Sequence, residues 1–481
     1  VRESPDPMSR FVLQQLAGWG NYRPEPCRVY RPERRSEVRE LLTHGAADDA
    51  AATTPARGAA GPAAADRPDL IARGLGRSYG DSATNAGGGV LLQTRMDCLI
   101  GFDPATGLLE AEAGVSFATL VDLFLPRGFF LPVTPGTKFV TLGGAIAADV
   151  HGKNHHVDGT IGNFVVSLRL LTAGGEVLAC SPTENADVFW ATVGGMGLTG
   201  VILSATIRMI PVSSAYAAVD YRKAANLDDA LEKFADPTHA ARKYSVAWID
   251  CLAAGGSLGR CVIMDGEHLP AADLPAKMRA DPLALPRKRG KPVPVNFPGF
   301  ALNRLSVKLF NKAYYWKQPQ GRRVVDLDAY FYPLDGVRDW NRIYGKRGFV
   351  QYQALFPPAT ARQGLKELLE RLSASGGASF LAVLKRTGGQ GPGMLSYPFA
   401  GYTLALDLPN TGRRLAELVR SLDETLLKHG GRLYLAKDSM MSAEAFAAMY
   451  PRLGEFRAVK ARVDPGNRFS STQARRLRIA E

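Results

Sequence analysis

An α+β fold in two lobes is what this 481-residue sequence predicts, and three observations carry the prediction. Short strand-like and helix-like runs alternate irregularly up to about Pro211, without the long, even βαβ repeat of a doubly wound sheet. From about Ser214 to Arg432 the texture changes to longer amphipathic strands separated by amphipathic helices. The glycine clusters fall in loops, not at the opening of a long helix, because glycine costs about 1 kcal/mol per helical position.

In chain order, residues 36–42 place Val38, Leu41 and Leu42 on one helical face, with Ser36 as cap and Gly45 as stop. Residues 45–67 are an Ala/Asp/Pro-rich insert that reads as a loop. Ile100-Gly-Phe102 and the apolar run from Leu108 flank Asp103-Pro-Ala-Thr-Gly107, a hairpin signal. Ser116 then caps a helix that brings Phe117, Leu120, Val121 and Phe124 to one side. In the second lobe, residues 244–250, 347–356, 379–385 and 401–407 read as strands of one sheet, with helices over 362–373 and 414–429. Gln351 and Gln353 alternate with Val350, Tyr352 and Ala354, so both amides share one face. That face borders either a polar cavity or solvent.

Composition excludes several classes. An apolar content of 46% with 22% charged residues is that of a globular protein. No run of eighteen apolar residues occurs, so no transmembrane helix is predicted. The segment from Val1 lacks the apolar core of a secretory signal, and Met8 is a candidate true start; a cytoplasmic or membrane-peripheral location is expected, on either side of the inner membrane. Cys27, Cys98, Cys180, Cys251 and Cys261 are odd in number and lack metal-ligand spacing, which predicts reduced thiols and no structural metal. His151, His155 and His156 have no neighbouring carboxylate to complete a metal site. The net charge of +13 is mostly dispersed, which argues against nucleic acid as partner. Its densest cluster, Pro286-Arg-Lys-Arg-Gly-Lys291, runs into an apolar stretch containing Phe297, Phe300, Leu302, Leu305, Leu309 and Phe310. A basic-apolar lid over about 275–318 suits an anionic membrane surface, and equally a solvated loop.

The chemistry is written in glycine. Ile71-Ala-Arg-Gly-Leu-Gly-Arg-Ser-Tyr-Gly-Asp81 is followed by Pro135-Gly-Thr137, Thr141-Leu-Gly-Gly-Ala-Ile-Ala-Ala-Asp-Val-His151 and Val193-Gly-Gly-Met-Gly-Leu-Thr-Gly200. Such segments let backbone amides approach a phosphate that a Cβ would block. Together they predict a ligand with a central pyrophosphate. A nicotinamide-type Rossmann turn is excluded, because Gly74, Gly76 and Gly80 are spaced one residue too wide and no helix can follow through Gly87-Gly-Gly89.

These residues, with Gly430-Gly-Arg-Leu-Tyr-Leu-Ala-Lys-Asp-Ser439 and the Val463-Asp-Pro-Gly-Asn-Arg-Phe469 ending, resemble the vanillyl-alcohol-oxidase-type (PCMH) FAD flavoproteins. Within them the chain is similar, from about Gly18 to its end, to the branch that oxidises the 2′-hydroxyl of a polyprenyl-phosphoryl-β-D-ribose. The resemblance implies an FAD domain over 18–211, a substrate domain on an antiparallel sheet over 212–431, and a segment 432–481 returning to the FAD domain. It implies that Ala72, Arg73, Gly74, Leu75, Gly76, Arg77, Ser78, Tyr79, Gly80, Asp81 and Ser82 hold FAD. Gly136, Thr141, Leu142, Gly143, Gly144, Ala148, Asp149, Val150, His151, Ile202 and Tyr434 join them. The helix opening near Thr141 is expected to add its N-terminal dipole. Many members tether FAD through a histidine where this chain has Arg77, and a second common tether, a cysteine near the position of His151, is missing. Non-covalent FAD is therefore expected.

For the reaction, Lys437 is the first candidate to take the hydroxyl proton, since a desolvated lysine has a depressed pKa. His151 is the alternative base, and Tyr79 stands beside them. Lys153, Trp248, Gln353 and Lys385 are implied to line the sugar and phosphate pocket. Mycobacterial members carry a cysteine at Ala405, a tyrosine at Phe331 and an asparagine at Thr403. The implied partners are the lipid-linked sugar, a separate NAD(P)H-dependent short-chain reductase, and a membrane surface. The competing reading on the same fold is an alditol or aldonolactone oxidase.

Overall fold

Two main sheets and a short ladder of Phe129–Phe130 with Ile210–Pro211 build the first lobe of this computed structural model, which describes residues 11–43, 69–286, 290–298, 303–375 and 381–481. Val12–Leu16, Glu25–Tyr30, Gly89–Leu92 and Leu70–Arg73 lie in that order, antiparallel in the first pair and parallel thereafter. An antiparallel five-stranded sheet follows, ordered Leu99–Asp103, Leu108–Glu112, Val201–Arg208, Val165–Leu171 and Val177–Cys180. Its first two strands are the hairpin that Asp103 to Gly107 signalled. Helix Phe117–Phe124 starts where predicted: the Ser116 side chain accepts the Thr119 amide, and Phe117, Leu120, Val121 and Phe124 are buried. The helix expected over 36–42 runs Arg35–Thr43 and buries its three apolar residues. Ser36 is not its cap; Glu37 reaches back to accept the Glu33 amide at 2.8 Å instead. Gly45, the insert 45–67, Arg287, Lys288, Arg289, Phe300, Leu302, Ser379 and Phe380 lie outside the described residues.

The second lobe is one eight-stranded antiparallel sheet. Its order is Gly321–Asp326, Tyr216–Ala224, Cys261–His268, Tyr244–Ile249, Ala382–Thr387, Gly401–Pro409, Phe349–Phe356 and Arg432–Leu433. All four predicted strands are in it, and the last strand shows that the sheet extends past residue 431. Helices Pro358–Ser375 and Arg413–Lys428 cover one face. Leu365, Leu368 and Leu369 are fully buried there, each stabilising by roughly 1.5–3 kcal/mol relative to exposure. Tyr352 points to this side and donates to Asp423 Oδ1 at 2.9 Å. Gln351 and Gln353 are buried on the other. Every residue of Phe349–Phe356 is buried because helices close one face and an internal cavity the other.

The chain end returns to the first lobe. Leu70 donates to Arg468 O at 2.8 Å, and Ser470 donates to Leu70 O at 3.0 Å. The intervening Phe469 is wholly buried, and Asp464 accepts the Phe469 and Arg468 amides and the Lys460 ammonium. The Asp-Pro-x-x-x-Phe pattern is thus a turn that anchors one aromatic side chain against the Leu70 strand.

Candidate active site

A cavity of about 1000 Å³ runs between the lobes. That is the upper end of the range for small-molecule sites. One end is walled by the loop Gly74 to Tyr79, by Pro135 to Thr137 and by the short helix Leu142–Ala147. The other is walled by one stripe across the large sheet, formed by Tyr221, Met264, Val246, Trp248, Val383, Lys385, Ala405, Gln353 and Gln351. The stripe is continuous because cross-strand partners share a face: Tyr221 opposes Met264, Met264 opposes Val246, Trp248 opposes Val383 and Gln353 opposes Ala405.

The first end fits a dinucleotide. Among the described residues, no backbone acceptor takes the amides of Gly76, Arg77 and Ser78, which border the cavity. At Gly136, also on its wall, an added Cβ would meet nothing within 4 Å, so the space is open to a ligand. Of the implied FAD residues, seventeen border the cavity and five stand behind it: Arg73, Gly80, Asp81, Leu142 and Asp149. Each of the five has a structural task. Arg73 clamps the loop through Ala83 O and Ala17 O at 2.9 and 2.7 Å. A Cβ on Gly80 would stand 1.7 Å from Asp438 O, so only glycine lets the loop touch the segment carrying Lys437. Asp81 pairs with Arg476 at 2.6 Å. Leu142 packs in the core, and Asp149 accepts from Gly162 N and Ser396 Oγ.

One expectation fails here. The helix at Thr141 does not offer its first amides to a ligand, because Leu142 and Gly143 donate to Val115 O and Ala113 O, and Gly144 to Thr141 Oγ1. Those carbonyls, in the turn after strand Leu108–Glu112, compete successfully, being fixed 2.8 Å away. The loop Val193 to Gly200 commits its Gly194 and Met196 amides to Ile146 O and Ala147 O and buttresses the helix end, while its Met196, Gly197 and Gly200 border the cavity.

The reactive groups meet at the junction of the two ends. Lys437 Nζ lies 3.8 Å from the centroid of the Tyr79 ring. Burial depresses its pKa to about 7, and Lys385, at about 8, adds to the effect while Asp407 opposes it. Burial likewise lowers Lys153 to about 7, and Lys153 donates to Phe331 O at 3.2 Å. His151, held well below its ordinary pKa by burial and then by Lys385, is neutral. Its Nδ1 faces Lys385 Nζ at 3.2 Å and its Nε2 faces the Gln353 amide at 3.0 Å. Both ring nitrogens thus have a partner, Lys385 Nζ at Nδ1 and Gln353 Nε2 at Nε2. Gln353 Nε2 also donates to Thr403 Oγ1 at 3.3 Å, and the Thr403 and Tyr397 hydroxyls lie 2.7 Å apart. Neither ring nitrogen is left to take a substrate proton, whereas Lys437 Nζ is. Tyr79 stays a phenol, its pKa pushed far up by burial. Trp248, Gln353, Lys385 and Lys153 all border the same cavity. Among the described residues no three His, Cys, Asp or Glu side chains converge as metal ligands.

Sequence reasoning missed the apolar wall of Tyr221, Val246 and Met264, the rim residues Phe310, Tyr314 and Trp340, and the buried Asp407 behind Gln351. Alternation along residues 401–407 puts Thr403, Ala405 and Asp407 on one face and was available as a signal; the rest required strand order.

The FAD binding domain family matches residues 59–181, and the D-arabinono-1,4-lactone oxidase family matches residues 410–477. Decaprenylphosphoryl-beta-D-ribose oxidase of Mycolicibacterium smegmatis is 39% identical over 97% of this chain and 98% of its own length. An uncharacterised Streptomyces coelicolor protein is 36% identical over 76% of this chain and all of its own. A putative D-arabinono-1,4-lactone oxidase of Neurospora crassa is 32% identical over only 24% of this chain and 21% of its own. With its full-length likeness, its FAD-binding domain and a cavity shaped for that cofactor, the chain belongs to the decaprenylphosphoryl-β-D-ribose oxidase family of FAD-dependent oxidoreductases.

Proposed function

We propose that this protein oxidises the 2′-hydroxyl of a polyprenyl-phosphoryl-β-D-ribose to the 2′-keto sugar, with FAD held non-covalently. The observation that carries the reading is the convergence of Lys153, Lys385 and Lys437 on one cavity, none of them ion-paired among the described residues. Three buried amines with no carboxylate in ion-pair contact favour an anionic substrate, whose charge would raise the depressed pKa values of the lysines that hold it. Bound FAD would supply the two-electron acceptor for the alcohol. Lys437 takes the hydroxyl proton, Lys153 and Lys385 hold the phosphate, and Gln353 and Trp248 orient the sugar. The ketone is then a substrate for a separate NAD(P)H-dependent short-chain reductase, and the pair of reactions epimerises ribose to the arabinose donor of cell-wall arabinan.

Helix Arg304–Lys317 supports a lipid-linked substrate. Its Val307 and Asn311 are buried inward, and Phe310 and Tyr314 border the cavity. Leu305, Leu309 and Trp316 stand 67%, 60% and 65% exposed, interleaved with Lys308 and Lys312. An apolar stripe edged with lysine fits an anionic bilayer, with each lysine contributing about 1 kcal/mol near the surface. Among the described residues no helix is long and apolar enough to cross a membrane. The lactone-oxidase likeness lies over residues 410–477, away from this helix and from two of the three lysines. A free lactone has no phosphate for those lysines.

Anaerobic mixing with polyprenyl-phosphoryl ribose in anionic vesicles should bleach the flavin, while free alditols and aldonolactones should not. The reverse pattern would establish the lactone-type reading. Leu309→Glu with Trp316→Glu is expected to slow bleaching at least tenfold on vesicles and to leave it unchanged in detergent; equal rates on vesicles would remove the membrane contact. Acid precipitation should leave the yellow colour in the supernatant, and colour in the pellet would disprove non-covalent binding.

A further inference from the structure

We propose that Asp407 is a positioning residue that governs the charge state of Lys437 while the substrate proton is transferred. The inference rests on the assignment of Lys437 as proton acceptor made above.

Asp407 lies on strand Gly401–Pro409, on the same face as Ala405 and Gln353, and it is fully buried. Gln351 Nε2 donates to its Oδ1 at 2.6 Å and the Tyr344 hydroxyl donates to its Oδ2 at 3.2 Å. The Tyr344 ring stacks on Phe349 at 4.1 Å, Phe349 meets the Tyr79 ring edge-on at 5.6 Å, and the Tyr79 ring carries Lys437 Nζ. One contiguous set of contacts therefore leads from the carboxyl to the amine. The groups acting on Lys437 come from separate elements: Tyr79 from the first glycine loop, Lys385 from strand Ala382–Thr387, His151 from the loop after the short helix, and Asp407. Asp407 is the acidic group among them. The groups that act on it include Gln351, Tyr344, Tyr79 and Lys437; burial pushes its pKa up to about 7, and Gln351, Lys437 and Tyr344 pull against that rise.

The physical need is plain. When the alcohol O–H bond breaks and an N–H bond forms on Lys437, an ammonium appears in a buried cavity that already holds Lys385 and Lys153. A carboxylate with Gln351 and Tyr344 among its donors balances that charge, and burial keeps the attraction from being screened by water. Asp407 touches neither cavity nor substrate, so it acts through Lys437 alone.

The test is the pH dependence of anaerobic flavin reduction in the FAD-loaded Asp407→Asn enzyme, which keeps the acceptor for Gln351. Without the carboxylate, Lys437 loses its proton more readily. The acid limb should move to lower pH by about one unit, and the plateau rate should fall about tenfold while KM changes less than twofold. Equilibrium denaturation supplies a readout independent of turnover. A carboxyl whose folded pKa is raised costs stability as pH climbs through the window from about 4 to about 7, so Asp407→Asn should gain on the parent across that window. Tyr344→Phe, which removes one donor from the carboxylate, should shift the limb in the same direction by less. An unmoved limb in both variants, with Lys437→Met inactive, would overturn the proposal and leave the base assignment standing. Full reduction in Lys437→Met would overturn the base assignment itself.

Discussion

Lys437→Ala is expected to slow reduction of the bound flavin by polyprenyl-phosphoryl ribose by about 10²–10⁴-fold, the usual contribution of a positioned proton acceptor. FAD should remain bound, because the loop Gly74 to Ser78 and the wall at Gly136 do not depend on the lysine side chain. Burial holds Lys437 to about 7, so the unprotonated amine grows as pH rises through neutrality. Parent activity should therefore climb about tenfold per pH unit below 7 and level off above it. His151 cannot substitute, as both its nitrogens are engaged by Lys385 and Gln353. Stopped-flow absorbance checks the result, and near-parent rates in Lys437→Ala would exclude the amine as the base.

Arg476→Ala should produce the largest loss of stability, about 3–5 kcal/mol, as for breaking a buried ion pair. The Arg476 guanidinium bridges Asp81, at the end of the first glycine loop, and Asp438, the neighbour of Lys437, at 2.6 and 2.8 Å. It also donates to Met441 O at 2.7 Å. Removing it strands two carboxylates side by side, with Asp438 almost wholly buried. Burial already raises the pKa of Asp81, and Arg476 is its main counterweight. An acid with a raised folded pKa costs stability above its unfolded pKa, so the deficit should deepen as pH rises from about 4 toward 7. Because the triad ties the cofactor loop to the Lys437 segment, FAD affinity should fall together with stability. Denaturant titrations at pH 5 and pH 7 measure this; a loss under 1 kcal/mol at both would show that the bridge is dispensable.

Local chemistry was the legible part of this chain. The Ser116 cap, the hairpin across Asp103 to Gly107 and the Gln351/Gln353 alternation were readable because each depends on neighbours within a few residues. The failures share one cause. The helix at Thr141 looked like an anion site, yet the turn carbonyls of Val115 and Ala113, some thirty residues away, take its amides. Gly80 looked like a phosphate glycine, yet it is required by Asp438 O, more than three hundred residues on.

By itself the sequence determined the class of cofactor, the glycine loops that admit it and the identity of the lysines, since side-chain type and short-range spacing decide those. Only the tertiary structure decided which glycines face the cavity, that both His151 nitrogens have partners, and that Asp407 stands behind Gln351. Hydrogen-bond partners and burial are set by strand order and by the returning tail, and neither is encoded within any local window of residues.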